Sequence, residues 1–169
     1  MHFTDNPEDQ RARAVLAAEL RSHRQFAGMT QMAVAAACGL THSQISVIET
    51  RPGNISRFRA YTSFANGLDL RFLPHATGGM FDGTPAVQPI LDRDEFVQYA
   101  EMQRIVNARR RTIKAALVAE RMGVGEMTIF KLEQLDRDDP SVAVWQSYVR
   151  SIGGRLDLVL APFEDAVAA

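Results

Sequence analysis

Apolar residues recur at three- and four-residue spacing through most of the chain, which predicts a mainly helical protein. The first stripe, Val15, Leu16, Ala18 and Leu20, follows Asn6-Pro7-Glu8-Asp9. Asn6 can cap, Pro7 suits the first helical position and the two acids suit the positive helix end, so a helix is predicted from Pro7 to about Gln25. Phe26 is expected to tuck under the loop that follows. Thr30 then caps a short alanine-rich helix, Gln31 to Cys38, whose small side chains admit a close neighbour, and Gly39 supplies a sharp left-handed exit. Leu40 plugs the turn, and Thr41 caps a helix from His42 to Thr50 with Ile45 and Ile48 facing inward. After a break at Arg51-Pro52-Gly53-Asn54, a fourth helix carries Phe58, Tyr61 and Phe64 and ends at Asn66-Gly67. Leu68, Leu70 and Phe72 then alternate with Asp69 and Arg71 as a half-buried strand does, and the unit closes at Pro74.

The same order of patterns returns. Residues 30–49, TQMAVAAACGLTHSQISVIE, align with residues 114–133, KAALVAERMGVGEMTIFKLE, at a constant offset of 84 that sets Gly39 on Gly123, Ile45 on Ile129 and Glu49 on Glu133. Before the second copy, a helix from Asp92 or Asp94 to about Arg109 has Phe96, Tyr99, Met102, Ile105 and Val106 as its apolar face. Val118, Met122, Val124, Ile129 and Leu132 take the core roles in the copy itself. Past a loop with Asp136, Asp138, Asp139 and Pro140, a helix bears Val142, Trp145, Tyr148, Val149 and Ile152, Gly153-Gly154 ends it, and residues 155–162 repeat the alternating strand. Leu68-Asp69-Leu70 matches Leu156-Asp157-Leu158 at an offset of 88, which predicts four extra residues in the second copy. Residues 75–91, with three glycines, two prolines and no helical period, read as a linker. The expected organisation is a first unit at 1–74, the linker at 75–91 and a second unit at 92–169, with the tail FEDAVAA frayed.

Composition narrows the function more than the fold. With 46% hydrophobic and 23% charged residues, the 169-residue chain has ordinary globular composition. No run approaches the roughly 18 apolar residues of a membrane span, and the acidic, polar start is unlike a signal peptide. The single cysteine, Cys38, excludes an internal disulfide and fits a reducing compartment, so a cytoplasmic protein with no membrane association is expected. His2, His23, His42 and His75 are scattered, no His or Cys pair has ligand spacing, and Gly78-Gly79 lies in the linker rather than between strand and helix. No catalytic residue, metal or cofactor is therefore expected, and the chain does not read as an enzyme. The net charge of −1 does not advertise a nucleic-acid partner. Residues 1–85 hold 8 Arg against 7 acids, and residues 86–169 hold 11 Lys or Arg against 13 acids, so any DNA-binding charge must be sorted by face.

Thr30, Gln31, Val34, Ala35, Gly39, Leu40, Thr41, Ile45, Ser46 and Glu49 follow the pattern of the Xre/Cro-repressor type of helix-turn-helix, which the first copy resembles almost throughout. With its trailing strand, each copy resembles a subunit of the HipB-type antitoxins and their regulator relatives. The resemblance implies two repressor-like five-helix helix-turn-helix units, each followed by a short β-strand, with strands 68–73 and 155–161 pairing as an intramolecular pseudo-dimer. It implies phosphate contacts at Thr30 and Gln31, and base reading by His42, Ser43 and Gln44 beside the outward-facing Thr41, with Gln44 able to pair bidentately with adenine. Ser46 and Arg51 fall at backbone contacts. The second copy departs from the pattern: Lys114-Ala115 stands for Thr-Gln, Gly125 for the capping Thr, Glu126, Met127 and Thr128 for the variable positions, and Phe130 for Ser46. Arg110, Arg111 and Lys114, after Arg109, can still grip phosphates, Glu126 can accept from a cytosine amine, and Met127, Thr128 and Lys131 complete the candidate DNA-binding set. An acid beside apolar residues is also what a reading head reused as a protein-contact surface would show.

Two functions follow as expectations. One is a sequence-specific double-stranded-DNA-binding transcriptional regulator, a repressor whose two non-identical heads cover an imperfect inverted repeat, active as a monomeric pseudo-dimer or a homodimer. The alternative is an antitoxin that binds and neutralises a partner toxin enzyme and autoregulates its operon.

Overall fold

The computed structural model describes residues 5–51, 56–83, 94–135 and 141–163. The sequence-predicted loops at Pro52-Gly53-Asn54 and Asp136–Pro140, much of the linker and most of the tail lie outside them. The described residues form helices α1 (Pro7–Phe26), α2 (Gln31–Cys38), α3 (His42–Thr50) and α4 (Phe58–Asn66), then strand β1 (Leu70–Thr77) and a single 3-10 turn at Gly79–Phe81. Helices α5 (Asp94–Thr112), α6 (Ala115–Met122), α7 (Glu126–Leu132) and α8 (Val142–Ser151) follow, then strand β2 (Arg155–Pro162). Four helices, not five, thus precede each strand among the described residues: three residues separate α4 from β1 and three separate α8 from β2, which leaves no room for another helix.

The helix ends form for the reasons legible in the sequence. Asn6 Oδ1 accepts from the Glu8 amide at 2.8 Å, and Thr30 Oγ1 accepts from the Ala33 amide at 3.1 Å. The helices α2 and α6 both end on a left-handed glycine, Gly39 at φ +71° and Gly123 at φ +70°. The close approach expected of the alanine-rich α2 occurs against α4, where a Cβ on Gly67 would stand 2.9 Å from Cys38 Cβ.

Some faces are rotated from expectation. On α1 the buried apolar residues are Leu16, Ala17 and Leu20, while Val15 and Ala18 point to solvent. Phe26 does not tuck under the loop; it is 96% exposed. The turn after α1 is tied by the Met29 amide on the Arg24 carbonyl, and Met29 packs against the core in its place. On α5, Phe96 and Tyr99 are exposed and the buried face is Val97, Gln98, Glu101, Met102, Ile105 and Val106. Polar residues enter that face because they bind the first half of the chain.

Strand β1 pairs antiparallel with β2 in a two-stranded sheet, from Leu70 opposite Pro162 to Thr77 opposite Arg155. Leu70, Phe72, Pro74 and Ala76 face inward across from Leu156, Leu158 and Leu160. The strand therefore continues past Pro74 to Thr77, and residues 75–77 of the expected linker belong to it. Both strands of a two-stranded sheet are edges, where a proline is tolerated. The 3-10 turn is also fixed: a Cβ on Gly79 would strike the Gly153 carbonyl, and one on Gly154 would stand 2.7 Å from the Phe81 ring.

The four-residue insertion inferred from the two Leu-Asp-Leu triplets does not occur. Helix α8 ends 85 residues after α4 and β2 begins 85 after β1. Leu68 and Asp69 lie in the turn after α4, with Asp69 at φ +56°, whereas Leu156-Asp157-Leu158 lies inside β2. An alternating pattern matches itself at any even shift, so the triplets mark periodicity rather than equivalence.

Contacts between the two halves of the chain are reciprocal. The fully buried Arg13 on α1 donates to Gln146 Oε1 on α8 at 2.5 Å, and Arg150 on α8 grips Asp9 at 2.7 Å. In the other direction, Gln98 on α5 donates to Thr62 Oγ1 on α4 at 2.7 Å and to the Phe72 carbonyl at 2.9 Å, and Arg71 on β1 donates to Asp94 at 2.6 Å. The first helix of each half is thus held by the last helix and strand of the other. Two pairs between the halves join residues at the offset of 84: Pro74 with Leu158 in the sheet, and the isolated bridge of Arg57 with Ser141.

Candidate nucleic-acid interface

In the first head, Val34 and Ala35 of α2 and Ile45 and Ile48 of α3 are buried and set the rotation of both helices. Glu49, at the end of α3, fixes the rest. Its carboxylate accepts from Arg24 Nε at 2.6 Å and Nη2 at 2.9 Å, and from Gln31 Nε2 at 2.8 Å. Arg24 also donates to the Met29 carbonyl at 2.8 Å, so one buried cluster ties α1, the turn before α2, and α3. Burial alone would raise the Glu49 carboxyl pKa, but the hydrogen bonds from Arg24 and Gln31, with the Arg24 charge, outweigh it and leave the pKa below the ordinary carboxylate range.

With that frame in place, Thr41, His42, Ser43 and Gln44 are exposed at the start of α3, Ser46 is half-buried and Arg51 is exposed just beyond its end. Gln44 is not simply an outward reader. Its Oε1 accepts from the Thr41 amide at 2.8 Å and from the Thr41 hydroxyl at 3.1 Å, while Thr41 Oγ1 accepts from the Gln44 amide at 3.2 Å. This capping box was legible as Thr-x-x-Gln, and it engages the carbonyl end of the amide assigned to adenine. Gln31 is likewise held by Glu49 rather than left to a phosphate alone, and Thr30 caps α2 while remaining exposed.

A hollow of about 340 Å³ lies between α3 and the start of α4, lined by Ser43, Gln44, Val47, Arg57 and Arg59 among others. Arg57 and Arg59, both exposed, are cations beside the outward face of α3 that the motif comparison did not reach. Their signal in the sequence was the spacing Arg51, Arg57, Arg59 after the motif.

The second head keeps the frame and changes the face. Arg109 pairs with Glu133, its Nη1 donates to the Ile113 carbonyl at 3.4 Å, and Tyr148 donates to Glu133 Oε1 at 2.7 Å. Burial first, then the bond to Glu133, raises the Tyr148 hydroxyl pKa well above its ordinary value. Burial would lower the pKa of Arg109, but its bonds to Tyr148 and Glu133 more than offset that and raise it. Arg110 also reaches Glu133, at 3.4 Å, with its side chain 54% exposed, so it belongs partly to the frame. Gly125 starts α7 with no side-chain cap. Glu126, Met127, Phe130 and Lys131 are exposed on α7, Thr128 is half-buried, and Arg111 and Lys114 are exposed before and at the start of α6.

A family model described as a helix-turn-helix domain matches residues 15–71, from within α1 into β1. No curated protein and no solved structure matches the chain. The match lies in the first half of the chain and includes both α2 and α3, the two helices of the helix-turn-helix pattern. No helix among the described residues is long and apolar enough to cross a membrane.

Proposed function

We propose that the protein is a sequence-specific double-stranded-DNA-binding repressor that presents two unlike reading heads, α2–α3 and α6–α7, to an imperfect inverted repeat, with a single chain supplying both. The observation that carries this reading is the reciprocal clasp between the two halves. Arg13 on Gln146 answers Gln98 on Thr62, with Gln146 84 positions after Thr62, and the starts of α1 and α5 are each held from the other half, Asp9 by Arg150 on α8 and Asp94 by Arg71 on β1. A pseudo-two-fold relation at an offset of 84 also accounts for the pairing of Pro74 with Leu158 and of Arg57 with Ser141, since each joins a residue to its own counterpart. Such an arrangement is what sets two recognition helices into successive major grooves about 34 Å apart. In this reading Ser43, His42 and the amide end of Gln44 address base edges, while Thr30, Gln31, Ser46, Arg51, Arg111 and Lys114 face phosphates.

The test is selection of the full chain on a random duplex library, followed by hydroxyl-radical footprinting of the recovered site and sizing of the complex. The expected result is two protected half-sites on one face of the duplex, unlike in sequence, bound by one chain, and a promoter overlapping the site is silenced by the protein. Failure to enrich any duplex refutes the reading. Enrichment of a single half-site removes the second head from it, and co-purification of a second, enzymatic chain released by DNA favours the antitoxin alternative.

A further inference from the structure

We infer that the half-site under α7 is read through thymine methyl groups, with Met127 and Phe130 as the specificity-determining side chains; this rests on the DNA-binding reading above. At the repeat offset of 84 these residues stand where the first head has Ser43 and Ser46. They are three positions apart and so share one face of α7. The buried Ile129 between them fixes the rotation of the helix, which leaves Met127 65% and Phe130 46% exposed.

An outward Met and Phe cannot donate or accept at a base edge as Ser43 can. The one apolar feature that a base pair offers in the major groove is the C5-methyl of thymine. Covering it takes apolar surface of both partners out of water, and the unbranched thioether of Met127 can adapt to its position. Beside them the exposed Glu126 accepts from a cytosine amine and opposes the guanine acceptors O6 and N7, which further steers the head away from guanine on the strand it reads.

The surroundings favour a polyanion over a protein as the occupant. Arg111, Lys114 and Lys131 are exposed on this head, and none of them forms an ion pair among the described residues. The large exposed apolar side chains of α6 and α7 are Leu117, Met127 and Phe130, three residues against the roughly 20–30 a side of a standard protein interface.

The experiment uses the full chain and the duplex recovered by selection. Deoxyuridine replaces thymidine one position at a time, which removes the methyl group and nothing else. The half under α7 is identified as the one whose sequence preference changes when selection is repeated with the M127S/F130S variant. In that half, each decisive methyl removed should weaken binding roughly fourfold, the effect of one buried methyl-sized group, with little change in the other half. The M127S/F130S variant should lose the sensitivity to deoxyuridine while keeping its contacts to the first half-site. Both substitutions are on the surface, and the deoxyuridine series on the unaltered protein stands independently of them.

Indifference to deoxyuridine in both halves overturns the inference, as does sensitivity that persists in M127S/F130S. Recovery of a single half-site overturns it while leaving DNA binding by α3 intact. Self-association of the chain that M127S/F130S abolishes would make this face an interface between copies. Enrichment of no duplex at all removes the DNA-binding reading and this inference with it.

Discussion

The two heads share a skeleton and differ in skin. In each, an arginine at the end of the long first helix meets a glutamate at the end of the third: Arg24 with Glu49, and Arg109 with Glu133. Each arginine also donates to a backbone carbonyl just before the second helix, at Met29 and Ile113, residues 84 apart. Outside this frame the heads diverge. The first shows hydroxyls, an imidazole and an amide; the second shows a carboxylate, a thioether and a phenyl ring. What holds each set of helices together is thus separate from what its outer face can touch, because buried ion pairs constrain geometry and the exposed face constrains only the partner.

Breaking the frame should have the largest effect and should be similar in both heads. Glu49→Ala and Glu133→Ala each strand a buried guanidinium, and each should lower stability by about 3–5 kcal/mol in urea unfolding. A cost near zero for one of them would show that its cluster is not a constraint and that the heads do not share a skeleton.

Each cluster holds a group whose pKa is shifted, a carboxyl lowered in the first and a hydroxyl raised in the second, and pH should tell them apart. The depressed Glu49 carboxyl takes up a proton less readily folded than unfolded, so its contribution is present above the unfolded carboxyl pKa of about 4.3 and is lost as pH falls through the lower folded value. Glu49→Gln should flatten the acid limb of the stability profile. Tyr148 has the opposite sign: its raised hydroxyl pKa contributes stability below the unfolded value of about 10 that is lost as pH rises beyond it. Tyr148→Phe should flatten the alkaline limb and leave the acid limb alone. Exchange of the two effects between the variants would break the assignment.

Reading by the first head should follow in size. Gln44→Ala removes the amide and the half of the capping box that it supplies, while the Thr41 hydroxyl still accepts from the backbone amide at position 44, so it should weaken binding at one half-site by about 1–3 kcal/mol and cost less than about 1 kcal/mol in stability. Gln44→Glu separates the two roles. A glutamate at this position still closes the capping box, so stability should hold while binding falls, because the donor to a base is gone and a negative charge has replaced it. If Gln44→Glu binds DNA as the unaltered protein does, the amide is a cap and nothing more.

What the sequence made legible was local: caps, left-handed glycines and the buried isoleucines. Those are set by neighbours a few residues away. Where expectation failed, a distant partner had decided the matter. Phe96 and Tyr99 have the spacing of a core face, yet Asp94, Gln98 and Glu101 occupy the buried side of α5 because Arg71, Thr62 and the amide of Ala76 wait there. The offset of 88 between the Leu-Asp-Leu triplets failed for another reason, since a period of two has no unique register until strands are paired. On the candidate face, motif spacing predicted Ser43 and Gln44 to point outward, as they do, but Arg57 and Arg59 lie past the motif and come beside them only through the packing of α4 on α3.

The smallest expected effect probes another part of the scaffold that differs between heads. Thr41 closes a side-chain cap on α3, whereas Gly125 begins α7 with no side chain to do so. The Gly125 backbone is at φ −77° and ψ 151°, which any residue adopts and which is close to that of Thr41, and a Cβ there would meet nothing within 4 Å. Gly125→Thr should therefore gain a cap and lose unfolded-state freedom, raising stability by about 0.5–1 kcal/mol, read as a shift of the urea midpoint at constant slope. Its effect on DNA tells more than its size. If α7 reads bases through Met127 and Phe130, stiffening its first turn leaves their preference in place and at most strengthens binding. If the uncapped start lets α7 adjust to its target, Gly125→Thr should stabilise the free protein and weaken the complex, and the difference between the heads would then lie in their rigidity as well as in their chemistry.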